Sequence, residues 1–201
     1  MNIFLDLDGT LIDSRPRLYQ LFQYLVKEST FSFEHYWDLK RNKINHHNIL
    51  IKRFNYSEAQ FRQFEAAWMA EIELKKWLDL DTSFEGVDSL LAELSERHLL
   101  YIVTARQSSI HTMQQLERLE WYKYISSTLI TEQKNSKSCL IRNSIKVSKN
   151  DWFIGDTGSD IETGKELGIK TAAVLSGFMN KECLQQYKPD IIIDNITKIK
   201  L

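Results

Sequence analysis

Asn2-Ile3-Phe4-Leu5-Asp6-Leu7-Asp8-Gly9-Thr10-Leu11 decides how the rest of the chain is read. Residues 2–7 form an almost unbroken apolar run, the pattern of a strand buried on both faces. Asp8-Gly9 then breaks it with a turn signal. Two later apolar runs end in the same manner. Tyr101-Ile102-Val103 leads into Thr104-Ala105-Arg106, and Trp152-Phe153-Ile154 leads into Gly155-Asp156-Thr157-Gly158-Ser159-Asp160. Parallel strands deliver such ends to one edge of a sheet, where open α/β folds bind ligands. Carboxylates gathered there repel one another, by roughly 4 kcal/mol per pair at about 4 Å and an effective dielectric of about 20. The cluster is therefore expected to handle a charged substrate with the help of a metal cation.

Outward from these ends, the chain divides by pattern. From about Arg15 to Leu80 apolar residues recur at helical spacing: Leu18, Leu21, Phe22 and Leu25, then Phe61, Phe64, Trp68 and Ile72. That stretch has no glycine, and its only proline is Pro16. Ser57 and Gln60 have the spacing of a capping box. After Gly86, helices expected over Val87–Arg97, Gln107–Leu119, Ser138–Ile145 and after Gly155 through Leu167 alternate with strands. The strands are expected at Leu99–Val103, Leu129–Ile130, Trp152–Ile154, Thr171–Leu175 and Ile191–Ile193. Such alternation implies right-handed crossovers. The expected architecture is an α/β, Rossmann-like parallel sheet with helices on both faces, formed by residues 1–14 and 82–201, with an all-helical unit of residues 15–81 inserted after the first strand.

Composition narrows the function classes. A chain of 201 residues can hold one substantial core and a small second lobe. Its net charge of −1 gives no support to nucleic-acid binding, and no apolar stretch approaches a membrane span. Two cysteines, Cys139 and Cys183, make no disulfide framework and fit a reducing compartment. Asp6 and Asp8 stand where a signal peptide would carry its basic and apolar regions, so a cytoplasmic location is expected.

The Asp6-Leu7-Asp8-Gly9-Thr10-Leu11 strand end resembles the first motif of the haloacid dehalogenase-like hydrolase superfamily. Thr104, Lys137 at the start of a helix, and Gly155-Asp156 with Asp160 resemble its remaining motifs in order. Phe84-Glu85-Gly86-Val87 through Thr104-Ala105-Arg106 has the spacing of phosphoglycolate-phosphatase-like members, and the helical insert falls where they carry a C1-type cap. The resemblance implies an Asp6 nucleophile that forms an aspartyl-phosphate. It implies Asp8 as general acid and base, on the same face as Asp6 if the strand pleat continues to it. Neighbouring carboxylates are expected to raise the pKa of Asp8.

By the same resemblance Thr104 binds the phosphoryl oxygens, with Gly9, Ala105 and Arg106 assigned beside it to phosphate binding. Lys137 neutralises charge, and Asp6, Asp156 and the main-chain carbonyl of Asp8 hold Mg2+ through oxygen ligands. Asp160 supports this set from behind. The implied activity is Mg2+-dependent hydrolysis of a small phosphorylated metabolite by a monomer or weak homodimer, with no nucleic acid or membrane partner.

Several readings stay open at this point. A sugar phosphomutase uses the same two aspartates, and a phospholigand-binding protein can keep the fold without turnover. Lys134 competes with Lys137, which is preferred because it directly precedes the apolar pattern Leu140, Ile141, Ile145. Arg106 either contacts substrate or caps a helix or pairs with a surface carboxylate. Lys40-Arg41-Asn42-Lys43-Ile44-Asn45-His46-His47 reads as a solvated loop, any of whose bases would greet an anion. Phe61, Phe64, Trp68 and Trp77 are expected to form the core of the insert.

Overall fold

A computed structural model describes all residues from Met1 to Leu201. Six parallel strands form the sheet, in the order β5 (Ser127–Ile130), β4 (Leu99–Thr104), β1 (Asn2–Leu5), β6 (Trp152–Gly155), β7 (Lys170–Val174) and β8 (Ile191–Ile193). β1 lies in the middle, between β4 and β6, with Leu5 opposite both Ile102 and Ile154. β5 flanks β4; β7 and β8 extend the other side.

The apolar character of β1 follows from burial on both faces. Ile3 and Leu5 join Leu100, Ile102 and Trp121 in one cluster, to which α6 (Val87–Ser95) and α7 (Ser109–Arg118) contribute Val87, Leu91 and Leu116. Phe4 faces the opposite side with Val103, Phe153 and Ile141, the last from α8 (Lys137–Ser144). α9 (Gly158–Leu167) crosses between β6 and β7. Helices thus cover both faces, as the alternation implied.

β1 is shorter than the apolar run suggested. It ends at Leu5, because the Leu7 carbonyl accepts from the amides of Thr10, Leu11 and Ile12 and turns the chain. Asp8 therefore sits in a tight turn and not on a continued pleat. Ile12–Asp13 (β2) then pairs antiparallel with Thr82–Ser83 (β3), two-residue strands too short to leave a sequence pattern.

Between β2 and β3 run α1 (Arg15–Leu25), α2 (Phe33–Arg41), α3 (His46–Phe54), α4 (Glu58–Glu71) and α5 (Lys75–Leu78). These helices share a core of their own, built on Leu18, Leu21, Phe22, Tyr36, Ile49, Leu50 and Phe64. Burying each such large side chain stabilises by about 1.5–3 kcal/mol, so the insert has a sizeable apolar basis for its packing. The Ser57–Gln60 capping box opens α4. Phe64 is buried in this core, whereas Phe61, Trp68 and Trp77 are only partly covered by it. Only residues 42–45 form the expected solvated loop: Lys40 and Arg41 finish α2, and His46 and His47 start α3.

Candidate active site

The strand order places the acidic ends together. Asp6 follows β1, and its amide donates to the Ile154 carbonyl of β6 at 2.9 Å. Thr104 ends β4, Gly155-Asp156 ends β6, and Lys137 opens α8 after β5. All lie at the carboxyl edge of the sheet, around a cleft of about 250 Å³. Asp6, Asp8, Thr104, Ala105, Arg106, Lys137, Asp156 and Asp160 line it. Gly9 does not. With φ +84° it turns the chain past Asp156, where an added Cβ would stand 2.4 Å from Oδ2, so its part is to allow close approach behind the carboxylate.

Lys137 Nζ donates to Asp6 Oδ1 and, at 2.6 Å, to Asp160 Oδ1. Burial alone would lower the amine's pKa, but Asp160 and Asp6 outweigh it and hold the group charged. Lys134 instead pairs with Glu132 at 3.0 Å, with 73% of its side chain exposed. Geometry thus brings Lys137, not Lys134, to Asp6.

Asp160 is fixed from its other oxygen by the amide and hydroxyl of Thr157, at 3.0 and 2.6 Å, in a capping box that starts α9. Gly155 leaves the space this requires, since a Cβ there would fall 2.4 Å from Asp160. Asp156, fully buried, accepts from the Phe178 amide at 2.6 Å. Carboxylate oxygens of Asp6, Asp156 and Asp160 all lie within 4.8 Å of one another. Burial, opposed by Lys137 and reinforced by Asp160, pushes Asp6 from its ordinary 3.8 up to about 7. Burial, then Asp6 and Asp160, push Asp156 well upward too. One amine among three buried carboxylates leaves them under-neutralised. An all-oxygen, buried donor set of this kind suits a hard divalent cation such as Mg2+. Asp160 already spends its oxygens on Lys137 and Thr157, so Asp6 and Asp156 are the freer ligands.

Asp8 departs from expectation. Burial tends to raise its pKa, but Arg106 and Arg17 outweigh this and hold the carboxyl well below the usual carboxylate range. The expected upward shift ignored Arg17, which α1 brings from the insert to within contact of Asp8 Oδ1. Arg106 contacts both oxygens of Asp8. Asp81, completely buried at its side chain, bridges the two guanidinium groups at 3.0 and 3.3 Å. Gln115 accepts from Arg106 and donates to Asp81 at 3.0 Å. Arg106 is therefore neither a helix cap nor a partner of a surface acid: it belongs to a buried network at the cleft wall.

Sequence reasoning missed Arg17, Asp81, Gln115 and Glu73. Arg17 left a faint signal, since it lies four residues before Leu21 and so shares the inward face of α1. Glu73, beyond α4, accepts from the amides of Gln107 and Ser108, both at 2.8 Å, and ties the insert to the start of α7. With Leu18, Ile72 and Phe178 it completes the cleft. His46 and His47 stay within the insert, away from this cleft, where His46 meets Tyr36 and His47 meets Glu58.

Residues 3–174 match the family described as haloacid dehalogenase-like hydrolase. A pyrophosphatase of Oceanobacillus iheyensis is 26% identical, the alignment covering 98% of this chain and 94% of that protein. A phosphoglycolate phosphatase of Synechococcus elongatus is 23% identical, over 96% and 92% of the two chains. Among solved structures, a haloacid dehalogenase-like family hydrolase of Streptococcus pneumoniae superimposes with a TM-score of 0.77 at 25% identity, covering 96% of this chain and 93% of its own.

Proposed function

The chain belongs to the haloacid dehalogenase-like hydrolase family, and from that premise we propose that it is a Mg2+-dependent phosphatase of small phosphomonoesters that carries the phosphoryl group transiently on Asp6. The observation that supports this most is the Lys137 amine joining Asp6 to Asp160 beside Asp156, at the carboxyl edge of the sheet. The names of the two relatives, a pyrophosphatase and a phosphoglycolate phosphatase, agree with phosphoryl chemistry.

Asp6 attacks phosphorus through the carboxylate oxygen not engaged by Lys137, and the bond to the leaving oxygen breaks. Thr104 and Ala105, which line the cleft, offer a hydroxyl and a backbone amide to the phosphoryl oxygens, while Lys137 opposes protonation of Asp6 and balances the added charge. Asp6, Asp156 and the Asp8 carbonyl would hold Mg2+, which would supply a positive field offsetting charge on the phosphoryl oxygens. Water then attacks phosphorus and frees Asp6, with Asp8 taking its proton. As described, Asp8 is ionised and ready for that second step. Donating a proton to the leaving oxygen in the first step requires its guanidinium contacts to loosen.

We read the five helices of residues 15–81 as a cap, because Arg17, Leu18, Ile72 and Glu73 form the cleft wall opposite the sheet. A partner is then a small phosphorylated metabolite whose leaving group meets those four side chains. No helix is long and apolar enough to cross a membrane. The test is a phosphate-release screen over phosphorylated metabolites with Mg2+, run beside Asp6→Asn. Release that depends on Asp6 supports the reading. Isomerised hexose phosphate with no free phosphate would instead show a mutase, and binding without turnover a phospholigand receptor.

A further inference from the structure

A second cavity lies wholly within the helical insert, between one face of α4 and the corner where α2 ends and α3 begins. Its volume is about 420 Å³, and it shares no lining residue with the catalytic cleft. Phe61, Phe64 and Trp68 of α4 supply apolar walls, spaced so that they share one helix face. His46 forms part of the lining, its ring 4.3 Å from that of Trp68 and 5.3 Å from that of Phe64. Lys40, from the last turn of α2, also lines it.

Lys40 is the anomaly. Lys75 and Lys76 of the same insert are exposed and each has a carboxylate, Asp79 and Glu71, both at 2.6 Å. Lys40 forms no ion pair, and burial is the one influence on its amine, pulling the pKa down to about 8. His46, which lines the same cavity, offers no negative charge: burial and then Lys40 itself pull its pKa well below the ordinary value. His47, which also lines the cavity, is occupied with Glu58 at 3.0 Å. Glu65 stands at the exposed rim without contacting Lys40. A desolvated amine with no anion is costly to keep, and aromatic walls give stacking energy to a flat guest. Pockets of roughly 300–1,000 Å³ with apolar walls and few polar groups are the usual form of small-molecule sites.

We propose that this cavity binds a small organic anion built on a flat unsaturated ring, its anionic group on Lys40 and its ring against Trp68 and Phe61. The site stands apart from the proposed phosphatase chemistry, and its test does not use turnover.

The test is calorimetry of the full chain with 2-naphthoate, 2-naphthamide and inorganic phosphate, repeated on Lys40→Met and on Asp6→Asn. In parallel, acetic anhydride labelling of Lys40 is followed by mass spectrometry, with exposed Lys149 as internal reference. The site predicts binding of one naphthoate, at least about tenfold weaker for the neutral amide, for phosphate and for Lys40→Met. It also predicts naphthoate protection of Lys40 but not of Lys149, and unchanged binding to Asp6→Asn. No binding, equal binding of amide and acid, or full binding by Lys40→Met would overturn it. Phosphate binding as well as naphthoate does would overturn the ring requirement. Should Lys40→Met fail to fold, the protection measurement on the unaltered chain decides.

Discussion

Arg106 holds Asp8 by two contacts of 2.8 Å, Nε to Oδ2 and Nη2 to Oδ1. This pairing makes Asp8 an acceptor at rest and sets the protonation state from which any catalytic cycle starts. It also binds residues far apart in the chain, because Asp81 closes the same network through Arg17 and Arg106.

Removing one member should therefore be costly. Arg106→Met leaves Asp8 and Asp81 buried with Arg17 as their only guanidinium, and is expected to lower stability by about 3–5 kcal/mol in urea unfolding. Adding Asp81→Asn should return part of that loss, since it removes an uncompensated charge. Arg106→Lys should not restore the parent value, because an ammonium cannot make the two-nitrogen grip. An unchanged unfolding midpoint in Arg106→Met would show that the pairing contributes nothing to the fold.

Much of the site was readable before the structure because buried parallel strands leave apolar runs and their ends are punctuated by Asp6, Thr104 and Asp156. Lys137 was readable because it precedes a helix pattern, and Ser57 with Gln60 because capping is local. Glu73 and Asp81 were not readable, and Arg17 only faintly, through its place on the inward face of α1. Their meaning arises from how the insert docks on the sheet, as with the 64 residues separating Arg17 from Asp81, and helix periodicity carries no information about such pairings. Asp8 was misjudged for the same reason: its neighbours in sequence are acidic, but its neighbours in space include two arginines.

His46 gives the insert a pH dependence. Burial, then Lys40, depress its folded pKa well below 6.5, so the folded insert keeps the ring neutral while the unfolded chain protonates it. Below pH 6.5 the unfolded state binds more protons, and stability falls as pH falls toward the depressed value. Asp6 works in the opposite sense, since its raised pKa lets the folded state hold a proton up to about pH 7. Comparing urea midpoints of the parent and His46→Gln on the acid side isolates the histidine. The parent should lose stability more steeply; parallel curves would refute a neutral buried ring.

A divalent cation should stabilise the fold through the carboxylate cluster. Protein freed of metal with a chelator is expected to gain about 2.7 kcal/mol when Mg2+ is added at about a hundred times its Kd. The gain should grow as pH rises through about 7, where Asp6 loses its proton and stops resisting the cation. Asp156→Asn should weaken the response sharply. Thermal unfolding with and without Mg2+ across that range checks it, and an equal response in Asp156→Asn would remove Asp156 from the ligand set.

The most direct measurement of the central claim is rapid acid quench during turnover of a substrate labelled in its phosphoryl group, followed by borohydride reduction and peptide mapping. The account predicts label bound to the protein early in turnover, a homoserine at position 6 after reduction, and neither label nor phosphate release in Asp6→Asn. Phosphate released by Asp6→Asn as fast as by the parent, with the protein unlabelled throughout, would contradict it.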